Sequence, residues 1–150
     1  MILVDTNVLL HAVNRDSPDC AAARGALETL ANGHRTWALS WTIAYEFLRV
    51  ATHPRVFHRP LDIADAWEFL HGLISRPTCL LLTETGQHQE IFGRCLGECP
   101  RLRGNILHDL HTAILMREHG IHAILTQDRD FQAFPWVRRL TLDADVAMLG

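Results

Sequence analysis

Short apolar runs alternate along the chain with longer segments in which apolar residues recur at every third or fourth position. The runs short enough to be buried strands are residues 1–4, 36–39, 78–82, 123–126 and 137–142. The segments with helical spacing are residues 18–32, 42–52, 62–75, 87–99 and 105–119. Strands that alternate with amphipathic helices predict an α/β fold whose parallel sheet is connected by right-handed crossovers.

The turn-forming residues agree with these boundaries and leave no linker. Gly33 and Gly120 follow predicted helices, and Pro18 suits the first turn of another. The longest irregular stretch, residues 53–60, contains two prolines, two arginines and two histidines. Since no repeat or low-complexity segment interrupts the pattern, we expect residues 1–150 to form a single domain.

The composition is that of an ordinary globular protein, with 48% hydrophobic and 21% charged residues. No apolar run approaches the roughly 20 residues that cross a bilayer, and no basic segment precedes an apolar one at the N-terminus. The four cysteines lack the paired C-x-x-C spacing of a zinc site. We therefore expect a cytoplasmic protein with reduced thiols, no zinc and no membrane association.

All fourteen basic residues are arginines. The absence of lysine excludes a Walker-type phosphate loop, Schiff-base chemistry and lysine-dependent phosphoryl transfer. The net charge of −3 argues against a broad basic surface for nucleic acid, although local arginine groups remain able to hold phosphate. Two such groups are Arg101 with Arg103, and Arg49 with Arg55 and Arg59. The competing interpretation is that these arginines are solvated surface side chains.

Acidic residues recur where the predicted strands end and the predicted helices begin. One follows the first strand directly, one lies just after the end of the fourth strand, and two lie four residues after the expected helix caps Thr42 and Asn105. In right-handed crossovers, strand ends and helix starts share one edge of the sheet. We therefore expect one pocket to contain the carboxylates of Asp5, Glu46, Asp109 and Asp128, with Asp130 beside them.

Each carboxylate alone also has a purely structural explanation. Asp5 fits a helix N-cap, Glu46 an ion pair with Arg49, and Asp128 a turn. Asp109 has neighbouring histidines, His108 and His111, that fit a surface pair. These separate explanations do not account for the shared position of the four acids.

Carboxylates that converge in a partly apolar neighbourhood need a counter-charge. Two unit charges about 4 Å apart repel by roughly 4 kcal/mol at an effective dielectric constant near 20. At neutral pH a divalent cation relieves this repulsion, and a set of oxygen ligands favours Mg²⁺ or Mn²⁺ over Zn²⁺. Such a site suits phosphodiester hydrolysis without a covalent nucleophile. No Ser-His-Asp arrangement is evident around Ser40, Thr6 or Thr126.

Four motifs, in this order, resemble the PIN-domain ribonucleases, and in particular the VapC-type toxins of bacterial toxin–antitoxin pairs. They are Val-Asp-Thr-Asn-Val-Leu-Leu at residues 4–10, Glu46 within a helix, His-Asp-Leu-His-Thr-Ala at residues 108–113, and Leu-Thr-Gln-Asp-Arg-Asp-Phe at residues 125–131. The likeness spans nearly the whole chain. It implies a three-layer α/β/α sandwich with a parallel sheet of about five strands in the order 3-2-1-4-5.

The resemblance also implies a Mg²⁺- or Mn²⁺-dependent endoribonuclease that forms a homodimer. Its expected partners are an RNA substrate and an antitoxin that inserts a segment into the acidic groove. Carried over by position, the catalytic and metal-binding residues are Asp5, Glu46, Asp109 and Asp128. Asp5 and Asp109 are expected to bind the metal directly, and the other two directly or through water. Asp130 is a secondary candidate, and the hydroxyl or amide groups expected to orient these carboxylates are Thr6, Asn7 and Thr126, with Thr112 nearby.

Three other interpretations compete with a ribonuclease. A haloacid-dehalogenase-like phosphatase needs a second aspartate where this chain has Asn7, and both it and a receiver domain usually need a lysine. A degenerate PIN-like module that binds RNA or a protein without cleaving it would be expected to lose carboxylates, and all four are present. A nuclease specific for DNA or for nucleic-acid structure fits the same acidic site, but the small size favours the toxin type. The tryptophans, which suit apolar packing better than base stacking, are Trp37, Trp41, Trp67 and Trp136.

Overall fold

The structure is a computed structural model that describes residues 1–143, and this part of the chain contains five strands and six α-helices. The strands are β1 (Ile2–Val4), β2 (Trp37–Ser40), β3 (Cys79–Leu82), β4 (Ala123–Leu125) and β5 (Arg138–Leu140). The helices are α1 (Thr6–Val13), α2 (Cys20–Asn32), α3 (Trp41–Ala51), α4 (Ile63–Ile74), α5 (His88–Glu98) and α6 (Ile106–Glu118). A 3₁₀ helix (Asp130–Ala133) joins β4 to β5.

The five strands form one parallel sheet in the order β3-β2-β1-β4-β5, as predicted. The central strand β1 pairs with β2 on one side and β4 on the other, so that Leu3 lies opposite both Ala38 and Ile124. All three of these residues are fully buried, as expected for a parallel strand covered on both faces. The strand order reverses between β1 and β4, and ligand sites of open α/β sheets lie at the carboxyl ends of such strands.

The helices pack in two groups around this sheet. Helix α1 packs against α2 and α3, and α3 packs against α4. Helix α5 packs against α6, and α6 packs against the 3₁₀ helix. Right-handed crossovers place the two groups on opposite faces of the sheet, which gives the predicted three layers.

The sequence pattern did not predict helix α1. Its eight residues follow β1 directly, and the polar Thr6 and Asn7 interrupt the apolar periodicity at its start. Asp5 is its N-cap, with an extended backbone and a side chain that accepts a hydrogen bond from the Thr6 N–H. Asp5 is therefore a helix N-cap, as its purely structural explanation proposed. The same residue also faces the other acids.

Two expected helix starts were wrong, and β5 is shorter than predicted. Ser40 rather than Thr42 caps α3, because its extended backbone lets its hydroxyl accept from the Ile43 N–H at 3.2 Å. Pro18 precedes α2, which begins at Cys20. Asn105 does occupy the N-cap position of α6, although its side chain makes no capping hydrogen bond. Strand β5 covers only Arg138–Leu140 of the predicted residues 137–142.

Two buried phenylalanines fix the segment after β4. Phe131 and Phe134 are both almost completely buried, and their rings meet edge to face with centroids 5.9 Å apart. This packing anchors the 3₁₀ helix and with it the position of Asp130. Within residues 1–143, no helix has the length and apolar character needed to span a membrane.

Candidate metal centre at the carboxyl edge of the sheet

Asp5 is a buried carboxylate held by hydrogen bonds on both of its oxygens. The Thr6 N–H donates to Oδ1 at 2.7 Å, and the Asn7 amide donates to Oδ2 at 2.5 Å. The hydroxyl of Thr126, at the end of β4, also donates to Oδ2 at 2.6 Å. These bonds fix the orientation of the carboxylate at the junction between β1 and β4.

Thr126 links this carboxylate to the loop that contains Asp128. Its fully buried hydroxyl accepts hydrogen bonds from the Asn7 amide at 2.8 Å and from the Asp128 N–H at 2.9 Å. The Asn7 side-chain oxygen in turn accepts from the Gln127 N–H at 3.1 Å. The predicted orienting groups Asn7 and Thr126 therefore join the first motif to the last.

Glu46 is held from α1 although it lies on α3. The Thr6 hydroxyl donates to Glu46 Oε2 at 2.7 Å. The other oxygen, Oε1, lies 3.9 Å from the guanidinium of Arg49, one turn further along the helix. About half of the Glu46 side chain remains exposed, so this contact is a solvated surface pair, and such pairs contribute little to stability.

Asp109 on α6 faces the same cavity as Asp5 and Glu46. The cavity has a volume of about 350 Å³ and is lined by Asp5, Thr42, Tyr45, Glu46, Arg49, His108, Asp109 and Thr112. Asp109 lies in the first turn of its helix, as the sequence predicted. Thr112, one turn later, is buried beneath it.

A tight triad of carboxylates completes the arrangement. Asp109, Asp128 and Asp130 each offer a carboxylate oxygen within 4.8 Å of the others, and in residues 1–143 no other trio of potential metal-binding side chains is so close. The Asp130 N–H also donates to Asp128 Oδ1 at 2.8 Å. Asp130, a secondary candidate from the sequence, therefore lies in the densest part of the cluster.

The electrostatics of two acids reflect this crowding. Burial raises the pKa of Asp5 to about 6, an effect opposed by its hydrogen bonds to Thr126 and Thr6 and reinforced by the charges of Glu46 and Asp128. Burial is also the main cause that raises the pKa of Asp109 to about 7, followed by the charges of four neighbouring acids, Asp128, Asp5, Asp130 and Glu46. The carboxylates are thus close enough to oppose one another's ionisation.

The donor set fits a hard divalent cation. The acids that converge here offer only carboxylate oxygens, which suit Mg²⁺ or Mn²⁺ and not a thiolate-binding metal. Among the described residues, the one arginine in the cavity wall is Arg49, which lies beside Glu46 and is not among the groups that shift the pKa of Asp109. A divalent cation bound among these acids would supply a counter-charge.

The structure also assigns partners that the sequence did not reveal. His111, considered as a surface partner for Asp109, instead pairs with Glu84 at 2.9 Å and lies 3.2 Å from the Thr42 hydroxyl. The sequence analysis did not identify Tyr45 as a residue of the cavity wall. Its position directly before Glu46 and its mostly exposed aromatic ring are the features that could have indicated this role.

The tryptophans differ in exposure. Trp37 is fully buried, whereas Trp41 and Trp67 remain exposed enough to contact a partner.

The sequence profile of the PIN domain matches residues 2–137. This chain belongs to the PIN-domain family. Among curated proteins, this PIN domain is 35% identical to Ribonuclease VapC48 of Mycobacterium tuberculosis over 134 residues, which cover 89% of the chain and 92% of that protein. It is 34% identical to Ribonuclease VapC43 of the same organism over 138 residues, which cover 92% of each. The resemblance drawn from the four motifs is confirmed.

Solved structures show the same fold at lower identity. VapBC2 from Rickettsia felis, bound to a DNA fragment from its promoter, matches this PIN domain with a TM-score of 0.66 and 20% identity over 94% of the chain and 98% of its own. VapC20 of Mycobacterium tuberculosis, a toxin that cleaves the Sarcin-Ricin loop, matches with a TM-score of 0.61 and 18% identity over 92% and 99%. VapBC from Salmonella typhimurium, bound to DNA, matches with a TM-score of 0.64 and 18% identity over 94% and 97%.

Proposed function

We propose that this protein is a Mg²⁺- or Mn²⁺-dependent endoribonuclease that hydrolyses RNA phosphodiester bonds at the acidic cavity, and that it is the toxin of a type II toxin–antitoxin pair. The observation that carries the proposal is the convergence of Asp5, Glu46, Asp109 and Asp128 from four separate parts of the chain. The curated relatives named as VapC ribonucleases support the reaction. The structural neighbours named as VapBC complexes support an antitoxin partner.

In this proposal Asp5 and Asp109 bind the cation directly. Asp5 is suited to the role because hydrogen bonds from Thr6, Asn7 and Thr126 fix its carboxylate in one orientation. Asp109 is suited because burial among like charges makes its anion unstable without a counter-charge. When bound, the cation supplies positive charge for the phosphate and acidifies a water molecule.

The remaining acids position groups around the scissile phosphate. Glu46, with one oxygen held by Thr6, orients the attacking water and accepts its proton. The Asp128 backbone N–H donates to the Thr126 hydroxyl, which fixes the position of this residue. Its carboxylate completes the cation site either directly or through water. Arg49 lines the same cavity and is the basic side chain available there to contact the substrate phosphate.

The proposed assembly is a homodimer of single-domain subunits in the cytoplasm, inhibited by an antitoxin segment that occupies the acidic cavity. A basic or polar segment would complement the clustered carboxylates and displace RNA from them. The alignments with the curated relatives cover 89% and 92% of this chain, which supports one PIN-like nuclease domain over residues 1–150.

The test is incubation of the purified protein with total RNA, with and without Mg²⁺ or Mn²⁺, beside the Asp5→Asn variant. We expect cleavage by the wild type only when the cation is present, and none by Asp5→Asn. Asp62→Asn is the matched control, because it makes the same change at an exposed acid outside the site. Cation-independent cleavage, or a folded and active Asp5→Asn protein, contradicts the assignment. A wild type that binds RNA without cleaving it in either cation would identify the degenerate binding module instead.

A further inference from the structure

A second, larger cavity lies beside the acidic cluster, between the α5–α6 loop and the 3₁₀ helix. Its volume is about 660 Å³, against about 350 Å³ for the acidic cavity, and we call it the loop cavity. Asp130 lies in its wall and is also a member of the acidic triad. The triad therefore connects the two spaces, because Asp130 lines the loop cavity and Asp109 lines the acidic cavity. An extended chain bound across the triad would enter the loop cavity.

Two arginines in the wall of the loop cavity form no ion pair with any residue in the described part of the chain. Arg101 and Arg103 are exposed in its wall, and within residues 1–143 neither guanidinium forms a hydrogen bond or an ion pair. By contrast, the nearby Arg94 pairs with Glu90 at 2.9 Å, and Arg117 pairs with Glu98 at 2.8 Å. The two cavity arginines are thus available to an anionic ligand.

The acids that line the same cavity are engaged elsewhere. Glu98 accepts its hydrogen bond from Arg117, whose guanidinium also lies 4.6 Å from the centre of the Trp136 ring. Asp130 lies in the triad with Asp109 and Asp128. Arg101 and Arg103 share the wall of the loop cavity with Asp130, but they form no ion pair with it or with the other described acids of the cluster.

Apart from Asn105, the rest of the wall is apolar, and contacts between the loop and the 3₁₀ helix hold it together. Pro100, Leu102, Ile106, Ala133 and Pro135 line it. The Cys99 thiol contacts the Ala133 carbonyl oxygen at 3.6 Å and ties the loop to the 3₁₀ helix. Gly104 turns the loop with a φ of 74°, in the left-handed region that favours glycine. The cavity therefore combines an apolar wall with two free guanidinium groups.

We infer that the loop cavity binds the nucleotide next to the scissile phosphate, with its base against the apolar wall and its phosphate held by Arg101 and Arg103. This inference rests on the proposed ribonuclease function and names the contacts of its substrate. Single-stranded RNA presents a base with an apolar face and a phosphate that arginine holds bidentately. Two unpaired guanidinium groups favour that phosphate over the basic protein segment that an acidic cavity attracts.

Binding of a short, fluorescently labelled single-stranded RNA of mixed sequence, measured without divalent cation, tests the inference independently of cleavage. We expect Arg101→Gln with Arg103→Gln to weaken binding roughly tenfold or more, since charged hydrogen bonds to phosphate are lost. The dependence of log affinity on log salt should become shallower by about 0.7 for each phosphate contact removed. Arg94→Gln, an exposed and paired arginine on α5, is the matched control and should bind as the wild type does.

Cleavage measured with the same variants separates this inference from the proposed function. We expect the double variant to raise KM with kcat nearly unchanged, and Arg101→Lys with Arg103→Lys to restore much of the affinity. A wild type that binds through the arginines but never cleaves supports the cavity and contradicts the ribonuclease. If the double variant cleaves RNA and binds it as tightly as the wild type does, the inference is overturned. It is also overturned if the double variant loses affinity only for an antitoxin protein and not for RNA. Photo-crosslinking of 4-thiouridine RNA to residues 98–106 of the wild type provides a check that needs no variant.

Discussion

The hydroxyl of Thr126 donates a hydrogen bond of 2.6 Å to Asp5 Oδ2, joining residues 121 positions apart in the sequence. The Thr126 hydroxyl oxygen also accepts hydrogen bonds from the Asn7 amide and from the Asp128 backbone N–H, so one buried atom connects the ends of β1 and β4. The acidic site is therefore built on a hydrogen-bonded junction between two adjacent strands, and its geometry depends on uncharged side chains as well as on the carboxylates.

Replacing Thr126 with valine should destabilise the protein and impair the site together. The valine keeps the shape and removes three hydrogen bonds; Asp5 Oδ2 and the Asn7 amide still pair with each other, but the Asp128 N–H loses its acceptor, at a total cost of about 1–3 kcal/mol in the free energy of unfolding. It should also raise the pKa of Asp5 further, because the Thr126 hydrogen bond lowers it. Urea denaturation and the pH dependence of cleavage measure the two effects. Thr126→Ser retains the hydroxyl and should behave like the wild type; an equal loss in both variants would argue against the hydrogen bond.

Thr6→Val should lower kcat by roughly tenfold or more and change KM little, because it releases Glu46 from the hydroxyl that holds it. The loss of one partly buried hydrogen bond should cost only about 1 kcal/mol of stability. Steady-state kinetics on an RNA oligonucleotide, compared with Thr6→Ser, measures this effect. Unchanged kcat in Thr6→Val would show that Glu46 needs no fixed orientation.

The cation-free protein should become less stable as the pH rises from about 4 to about 7. The folded-state pKa values of Asp5 and Asp109 are raised from 3.8 to about 6 and about 7, so the folded state binds more protons than the unfolded state in this range. Their contribution is fully present below about pH 4 and is lost by about pH 7. Denaturation in chelator across this range measures the trend, and the Asp109→Asn variant should flatten it.

Added Mg²⁺ or Mn²⁺ should raise the melting temperature more at about pH 8 than at about pH 5. Protons occupy Asp109 at the lower pH and compete with the cation, whereas at the higher pH the ionised carboxylates need it. Asp109→Asn should melt higher than the wild type in chelator at about pH 8 and respond less to cation. The exposed Asp62→Asn should respond as the wild type does. A cation effect independent of pH would place the bound ion away from these acids.

Much of the fold could be predicted because four of the five described strands, β5 excepted, are nearly continuous apolar runs followed by polar residues at the functional edge. Asp5 follows β1 directly and Asp128 follows β4 after Thr126 and Gln127, and parallel topology brings their positions together. Helix α1 could not be seen in the same way, because its first turn consists of the polar residues that serve the site.

The finer parts of the site depend on tertiary contacts that no local pattern contains. Thr6 reaches Glu46 across 40 positions, and the placement of Asp130 depends on the packing of Phe131 and Phe134 after β4. Ser40 competes with Thr42 for the start of α3, and backbone geometry decides between two residues that are equally good caps by composition. The loop cavity is likewise formed by segments that meet only in the folded chain.

Calorimetric titration of the purified protein with Mn²⁺ at about pH 8 tests most directly whether the clustered carboxylates hold a divalent cation. We predict saturable uptake by the wild type and by Asp62→Asn, and its loss in Asp5→Asn and in Asp109→Asn. An absence of uptake by the folded wild type at millimolar Mn²⁺ and Mg²⁺, or undiminished uptake by both site variants, would contradict the account.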